Sequence, residues 1–408
     1  MVSTKRTFIA TAVLLATATL TPLALAQQTI KIGALNPYSG PMALYGTEVT
    51  RGYELAVDKL NASGGLLGKK LELVRGDVSN PQQGIATVEQ LVSKDKVDMF
   101  VGTYISAISL TASDAAQRYN KLYWETNAVA HMLTDRGLPN FVRSGPDGNA
   151  FSNTSSAAVR ELIAPALKKD MRGLKVWIES EDSIYGSVIA AGQKRILETF
   201  GAKVVGTGAH SARTIDLNDT VLRIKQAAPD VLVQTGYVPD GNLLLRTLRD
   251  QGVKPGAILY VGTGDTAETL QALGAEYMEG VLVVGYPRQD ITEAFGPGSK
   301  AYLEAYRAKY KADPVAPQGM NAFSGFMIMA EAVKNAGSIE PDKVQAAAAK
   351  LDKPENSYPS GYGVKFDKQF QNVRTGFTVS QWQGGKLVTV FPKVAVVSGV
   401  TLKPLARP

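Results

Sequence analysis

Short apolar runs alternate with amphipathic stretches through most of the chain. Residues 29–35 have the composition of a strand, and 45–61 carry Val49, Tyr53, Leu55, Ala56, Val57 and Leu60 as an apolar stripe at helical spacing. Strands follow over 70–74, 97–101 and 122–126, with helices over 82–93 and 106–119 between them. This alternation predicts a parallel sheet covered by helices. The rhythm restarts after Arg143-Ser144-Gly145-Pro146. Helices over 151–167, 185–200, 217–227 and 240–251 interleave with strands over 174–179, 203–207, 231–234 and 258–261. Another strand is expected over 281–285, then helices over 298–310 and 319–336. From Gly361 the pattern turns to β, and Gly384-Gly385 between two apolar runs reads as a hairpin turn.

Two successive βα sets make the fold class α/β, with two Rossmann-like lobes. In such sheets ligands bind beyond the carboxyl ends of strands, where loops enter helices. The segments to inspect are therefore 102–106, 127–130, 180–185, 235–240 and 262–265. They are rich in Ser, Thr, Tyr, Asn, Asp and Gly, as surface loops commonly are.

The first residues change this picture. Lys5 and Arg6 precede an apolar run from Phe8 to Leu25, which closes on Ala24-Leu25-Ala26. That is the pattern of a secretory signal peptide, so residues 1–26 are expected to be cleaved after Ala26 and the mature chain exported. A membrane anchor is the alternative, but Thr17, Thr19, Thr21 and Pro22 interrupt the run and no Cys follows to carry a lipid. The chain of 408 residues has no Cys, which excludes disulfides and thiolate chemistry. Its two histidines, His131 and His210, are too few for a His-rich metal site. Removing Lys5 and Arg6 from 44 basic residues leaves a charge of +5 against 37 acidic ones, with no basic run interleaved with aromatics. Nucleic acid is therefore not an expected partner.

Signatures of catalysis are missing. There is no G-x-S-x-G elbow, no phosphate-binding G-x-x-x-x-G-K-[ST] and no H-E-x-x-H. Glu179, Glu181 and Asp182 cluster after a strand. A metal or acid/base site is one reading, but without a partner His a solvated loop or helix start is preferred. His131 reads as a satisfied loop histidine. No cofactor and no metal are expected, and a binder is favoured over an enzyme.

With these loops located, the chain resembles a known family. Asn36-Pro37-Tyr38-Ser39-Gly40-Pro41 with Tyr45-Gly46, and Asn61-Ala62-Ser63-Gly64-Gly65-Leu66-Leu67-Gly68-Lys69, are similar to signatures of type I periplasmic solute-binding proteins. The group is the leucine/isoleucine/valine-binding one, which serves ATP-driven importers. Gly76-Asp77, Asn80-Pro81, Val101-Gly102, Leu133-Thr134-Asp135-Arg136-Gly137, Tyr185-Gly186, Gly236-Tyr237 and Glu279-Gly280 continue the likeness, from about Thr29 to Val390. The resemblance implies a three-segment hinge near Ser144, Pro287 and Gly361. Lobe I then comprises 29–146 and 288–360, and lobe II 147–287 and 361–408. It implies a monomer that closes around a small carboxylate-bearing solute and docks on a membrane permease.

The resemblance also implies a site. Ser106, at a helix start, and the backbone N–H of Asn127 would meet the solute carboxylate. Tyr45, Tyr185 and Tyr237 would wall the cleft. Two positions depart from the family. Val129 stands where a Thr helps hold carboxylate and ammonium, and Gly264 stands where a Glu neutralises the ammonium. Asp265 or Glu125 could replace that acid. Tyr104 places an aromatic ring where a smaller residue is usual. Loss of the ammonium holder beside a gained aromatic wall points to an aromatic carboxylate, with an amino acid as the alternative. A ligand-sensing regulator shares this fold but would need an attached signalling segment. An enzyme on two such lobes would need a cofactor fingerprint or a catalytic dyad.

Overall fold

The computed structural model describes residue 1 and residues 29–405; the expected leader and its cleavage at Ala26 lie outside the described residues. Strands β1 (Thr29–Asn36), β2 (Lys70–Asp77), β3 (Met99–Gly102), β4 (Tyr123–Glu125) and β5 (Phe141–Arg143) form one sheet in the order β2-β1-β3-β4-β5. Every pairing in it is parallel. Strands β3 and β4 are buried along their whole length, as helix-covered parallel strands are. Helices α1 (Ala43–Ala62), α2 (Pro81–Gln90) and α3 (Ser106–Arg118) connect the strands. The start of α2 follows from its sequence: Asn80 accepts a hydrogen bond from the Gln83 N–H, and Pro81 fills the first helical position. Helix Gln318–Ala336 packs its buried face on α1. Gly52 makes that crossing tight, because a Cβ there would lie 2.0 Å from the Gly319 carbonyl oxygen.

The second sheet contains β6 (Lys175–Glu181), β7 (Lys203–His210), β8 (Val231–Thr235), β9 (Ala257–Val261) and β10 (Leu282–Gly285). Two late strands complete it. After β11 (Asp352–Lys353) and β12 (Val364–Lys365) come β13 (Thr378–Gln383) and β14 (Lys386–Phe391), joined through Gly384-Gly385. The order is β14-β13-β10-β9-β8-β6-β7, with β13 and β14 antiparallel to their neighbours. The first sheet changes winding direction at β1 and β3, the second at β6 and β8. Each switch opens a crevice at the carboxyl ends of its strands.

One expected boundary moves. The family likeness places residues 361–372 in the second lobe, but β12 pairs with β11, and Val364 and Phe366 belong to the first-lobe core. Gln371 aligns with Arg143 at the edge of the first sheet, whereas Phe377 and Val379 lie in the second-lobe core. The third crossing thus falls between Asn372 and Phe377. A two-residue strand carries no pattern that says which lobe it joins. Beyond β14, Ala395 packs into the first-lobe core beside Ile291, and Leu402 and Leu405 then return to the second.

Candidate functional site

The two lobes meet over a small space lined by Tyr104, Asn127, Val129, Phe151, Tyr185, Tyr237, Gly262 and Tyr286. None of these carries a charge. Four tyrosines and a phenylalanine make the wall predominantly aromatic. Tyr185 and Tyr237 pack at 5.2 Å between ring centroids, and Phe151 stands edge-on to Tyr185 and Tyr286. Gly262 makes room for this wall. It adopts φ +73°, and a Cβ there would lie 1.9 Å from the Tyr185 hydroxyl.

On the first lobe, Ser106 opens α3, and its Oγ accepts hydrogen bonds from the Val129 and Ala130 N–H groups, both at 3.2 Å. Both lone pairs of the hydroxyl are thereby used, leaving one hydrogen to donate. Beneath this loop lies Glu125, fully buried at the end of β4. Its Oε1 accepts from the N–H groups of Thr126, Asn127 and Ala128, and its Oε2 from the Thr103 N–H and the Ser109 hydroxyl. Burial drives the carboxyl up to about 7, against the pull of these donors. The Asn127 N–H, expected to meet a solute, is therefore spent on Glu125. The Asn127 carbonyl accepts from the Tyr286 hydroxyl, and its side chain donates to the Gln318 carbonyl oxygen.

Tyr45 does not line the space. It stacks on Tyr104 at 5.0 Å and donates its hydroxyl to Asp265 Oδ1 at 2.8 Å. This bond spans the lobes. Burial raises the Asp265 carboxyl, while the Tyr45 hydroxyl lowers it. Asp265 and Glu125 both lie behind the lining rather than in it.

The acidic cluster Glu179, Glu181 and Asp182 is not a solvated loop, because its first two members lie within β6. Glu179 and Glu181 are buried. Glu181 accepts from the N–H groups of Ser183 and Gly186, which anchors the turn ahead of Tyr185. Glu179 holds His210 and the Trp177 indole N–H. Asp182 alone is exposed. No group of three metal-ligating side chains is found among the described residues. His131 is half-buried beside Asp135 and apart from the site.

Five of the eight sequence-derived positions thus meet at one space: Tyr104, Asn127, Val129, Tyr185 and Tyr237. Tyr45, Ser106 and Asp265 support it from behind. Phe151, Gly262 and Tyr286 are additions. Tyr286 follows β10, so the strand-end rule applied to that strand would have found it. Phe151 lies within the helix Gly148–Ala158, where an aromatic residue reads as core.

The "Periplasmic binding protein" family profile matches residues 29–386. Leu/Ile/Val-binding protein homolog 7 of Brucella suis is 35% identical over 374 residues, covering 91% of this chain and 94% of that protein. Homolog 8 of Brucella abortus is 36% identical over 375 residues, covering 92% and 93%. Among solved structures, the branched-chain amino acid transporter substrate-binding protein LivJ of Streptococcus pneumoniae, in complex with isoleucine, superposes with a TM-score of 0.75. Its identity is 25%, over 90% of this chain and all of that one. A solute-binding protein of an R. palustris ABC transporter, in complex with 4-hydroxybenzoate, superposes with a TM-score of 0.73 at 24% identity, over 89% and 95%. The chain belongs to the periplasmic binding protein family, and like these relatives it is a binding protein rather than an enzyme. No helix among the described residues is long and apolar enough to cross a membrane.

Proposed function

We propose that this periplasmic binding protein captures an aromatic carboxylate by lobe closure and delivers it to the permease of an ATP-driven importer. The observation that carries the ligand class is the lining of the space between the lobes: tyrosine and phenylalanine rings, with no charged side chain among them. An α-ammonium enclosed there without an acid would be costly, whereas a ring loses nothing by leaving water. The Ser106 hydroxyl, with its hydrogen uncommitted to Val129 or Ala130, is the proposed donor to the carboxylate. Tyr104, Tyr185 and Tyr237 are the proposed ring contacts, with Asn127 and Val129 as the floor. In this reading the protein acts as an exported monomer that begins after Ala26, and the segments that cross between its lobes bend as the lobes close.

An amino acid of the branched-chain type is the second reading. Asp265 favours it, because that buried acid sits one residue from the position of the family's ammonium partner. A thermal-shift screen decides between them. Benzoate, 4-hydroxybenzoate and a phenylpropanoid acid are run beside leucine, isoleucine and valine, since any solute selective for the folded state raises its melting temperature. The aromatic acids are expected to stabilise the protein. Stabilisation by the aliphatic amino acids alone overturns the aromatic reading and points to Asp265.

A further inference from the structure

We infer that His210 is a positioning residue of the cleft: as an imidazolium held between Glu179 and Asp240, it fixes the turn that presents Tyr237 to the solute. The inference rests on the cleft being the binding site, but not on which solute binds there.

His210 ends β7 and is buried. Its Nδ1 lies 2.8 Å from Glu179 Oε1, and its Nε2 lies 3.2 Å from Asp240 Oδ2. A neutral imidazole has one donor and one acceptor, and an ionised carboxylate can only accept. Only the protonated ring satisfies both neighbours. The carboxylates are used on their other sides as well. Glu179 Oε2 accepts from the Trp177 indole N–H at 2.9 Å, and Asp240 Oδ1 accepts from the Tyr237 N–H at 3.0 Å. A chain of charge-assisted bonds therefore runs from Trp177 through His210 to the backbone of a cavity-lining tyrosine.

The space for this chain is built into the sequence. A Cβ at Gly208 would lie 1.9 Å from Glu179 Oε2, and one at Gly236 would lie 2.1 Å from Asp240 Oδ2. Glu179 and Asp240 are almost completely buried, so loss of the cation would force one of them to take a proton or admit water. Burial alone would lower the imidazole's affinity for its proton. The bonds to Asp240 and Glu179 outweigh that and hold it up at about 9. The other ionisable groups that face this cluster are Glu181, whose charge is felt beside Asp240, the phenols of Tyr237 and Tyr260, and the exposed Asp182 and Arg213 on the adjoining loops.

The test begins without a solute. The imidazole resonances of ¹⁵N-labelled protein are followed from pH 6 to 10.5 together with the backbone amide of Tyr237. His131 is the one other histidine in the sequence. The ring of His210 is expected to stay protonated through neutral pH, and the Tyr237 amide is expected to shift with the same midpoint. That shift should vanish in His210→Gln. In Asp240→Asn, which keeps an oxygen for the Tyr237 N–H, the midpoint should fall. A Tyr237 amide that does not follow the ring, or that still shifts in His210→Gln, overturns the inference. Calorimetry with 4-hydroxybenzoate then reads the consequence: His210→Gln is expected to bind about tenfold more weakly at neutral pH, with its alkaline loss of affinity flattened. If the wild type binds no aromatic acid while its Tyr237 amide still follows the ring, the ligand reading fails and the positioning role stands.

Discussion

Glu125 concentrates more of the site's electrostatics than any residue that touches the enclosed space. Five donors favour its charge, and full burial opposes it strongly enough to bring the carboxyl to about 7, from an ordinary value of 4.5. A folded-state value above the unfolded one means stability that is complete below about pH 4.5 and lost as pH rises through 7. The melting temperature of the wild type should therefore fall between pH 5 and 8, and Glu125→Gln should flatten that part of the curve. An identical slope in both proteins would show that Glu125 does not titrate there. The sequence singles out Glu125 as an acid that could stand in for the family's ammonium partner, and nothing in it discloses that the side chain turns back under its own loop. The consequence for Asn127 was hidden with it. Donor N–H groups can be counted in a sequence, but their direction is set by whichever acceptor the fold brings within reach. His210 was opaque for the same reason: its partners lie 31 and 30 residues away in the chain.

Elements were the most legible level. The central parallel strands β1, β3, β8 and β9 are apolar runs ended by polar or glycine residues, and α1 and the helix Gln318–Ala336 show their buried stripes directly. The strand β5, Phe141–Arg143, escaped because three residues show no alternation. The helix Pro341–Ala348 is equally absent from the sequence reading, since four alanines in Ala346-Ala347-Ala348-Ala349 mark no face. The turn that follows β9 illustrates how an element sets a site. Its Gly262 sits where any side chain would strike the Tyr185 hydroxyl. Gly262→Ala should displace that ring and add backbone strain, since φ +73° suits glycine and costs other residues about 1 kcal/mol. Solute affinity is expected to drop by at least tenfold with the far-ultraviolet circular dichroism unchanged. An unaltered dissociation constant would show that Tyr185 can move without consequence.

For the whole molecule, the relation between the lobes is the property that matters. Tyr45, Tyr104 and Val129 of the first lobe share one apolar cluster with Phe151, Tyr185 and Tyr286 of the opposite side. The Tyr45–Asp265 bond joins the lobes directly, and the Tyr286–Asn127 bond ties the second crossing to the first-lobe loop. Tyr45→Phe removes one hydrogen bond to a buried carboxylate, worth about 1.5–3 kcal/mol in the closed form. The open population should grow accordingly. X-ray scattering of the solute-free variant is expected to give a larger radius of gyration than the wild type, and saturating solute should bring the two together. Equal radii without solute would mean that the bond does not govern closure.

That one hydroxyl also bears on fidelity. A hydrogen bond across the cleft between two protein groups takes nothing from the solute, so it favours the closed form whether or not a solute is bound. Each kcal/mol of such bias multiplies the closed fraction of empty molecules about fivefold. A membrane partner that recognises shape rather than cargo would answer these false positives with idle turnovers and spend ATP on nothing. Under the proposed import role, Asp265 and Tyr45 would set a noise level for uptake, separately from how tightly any solute is held.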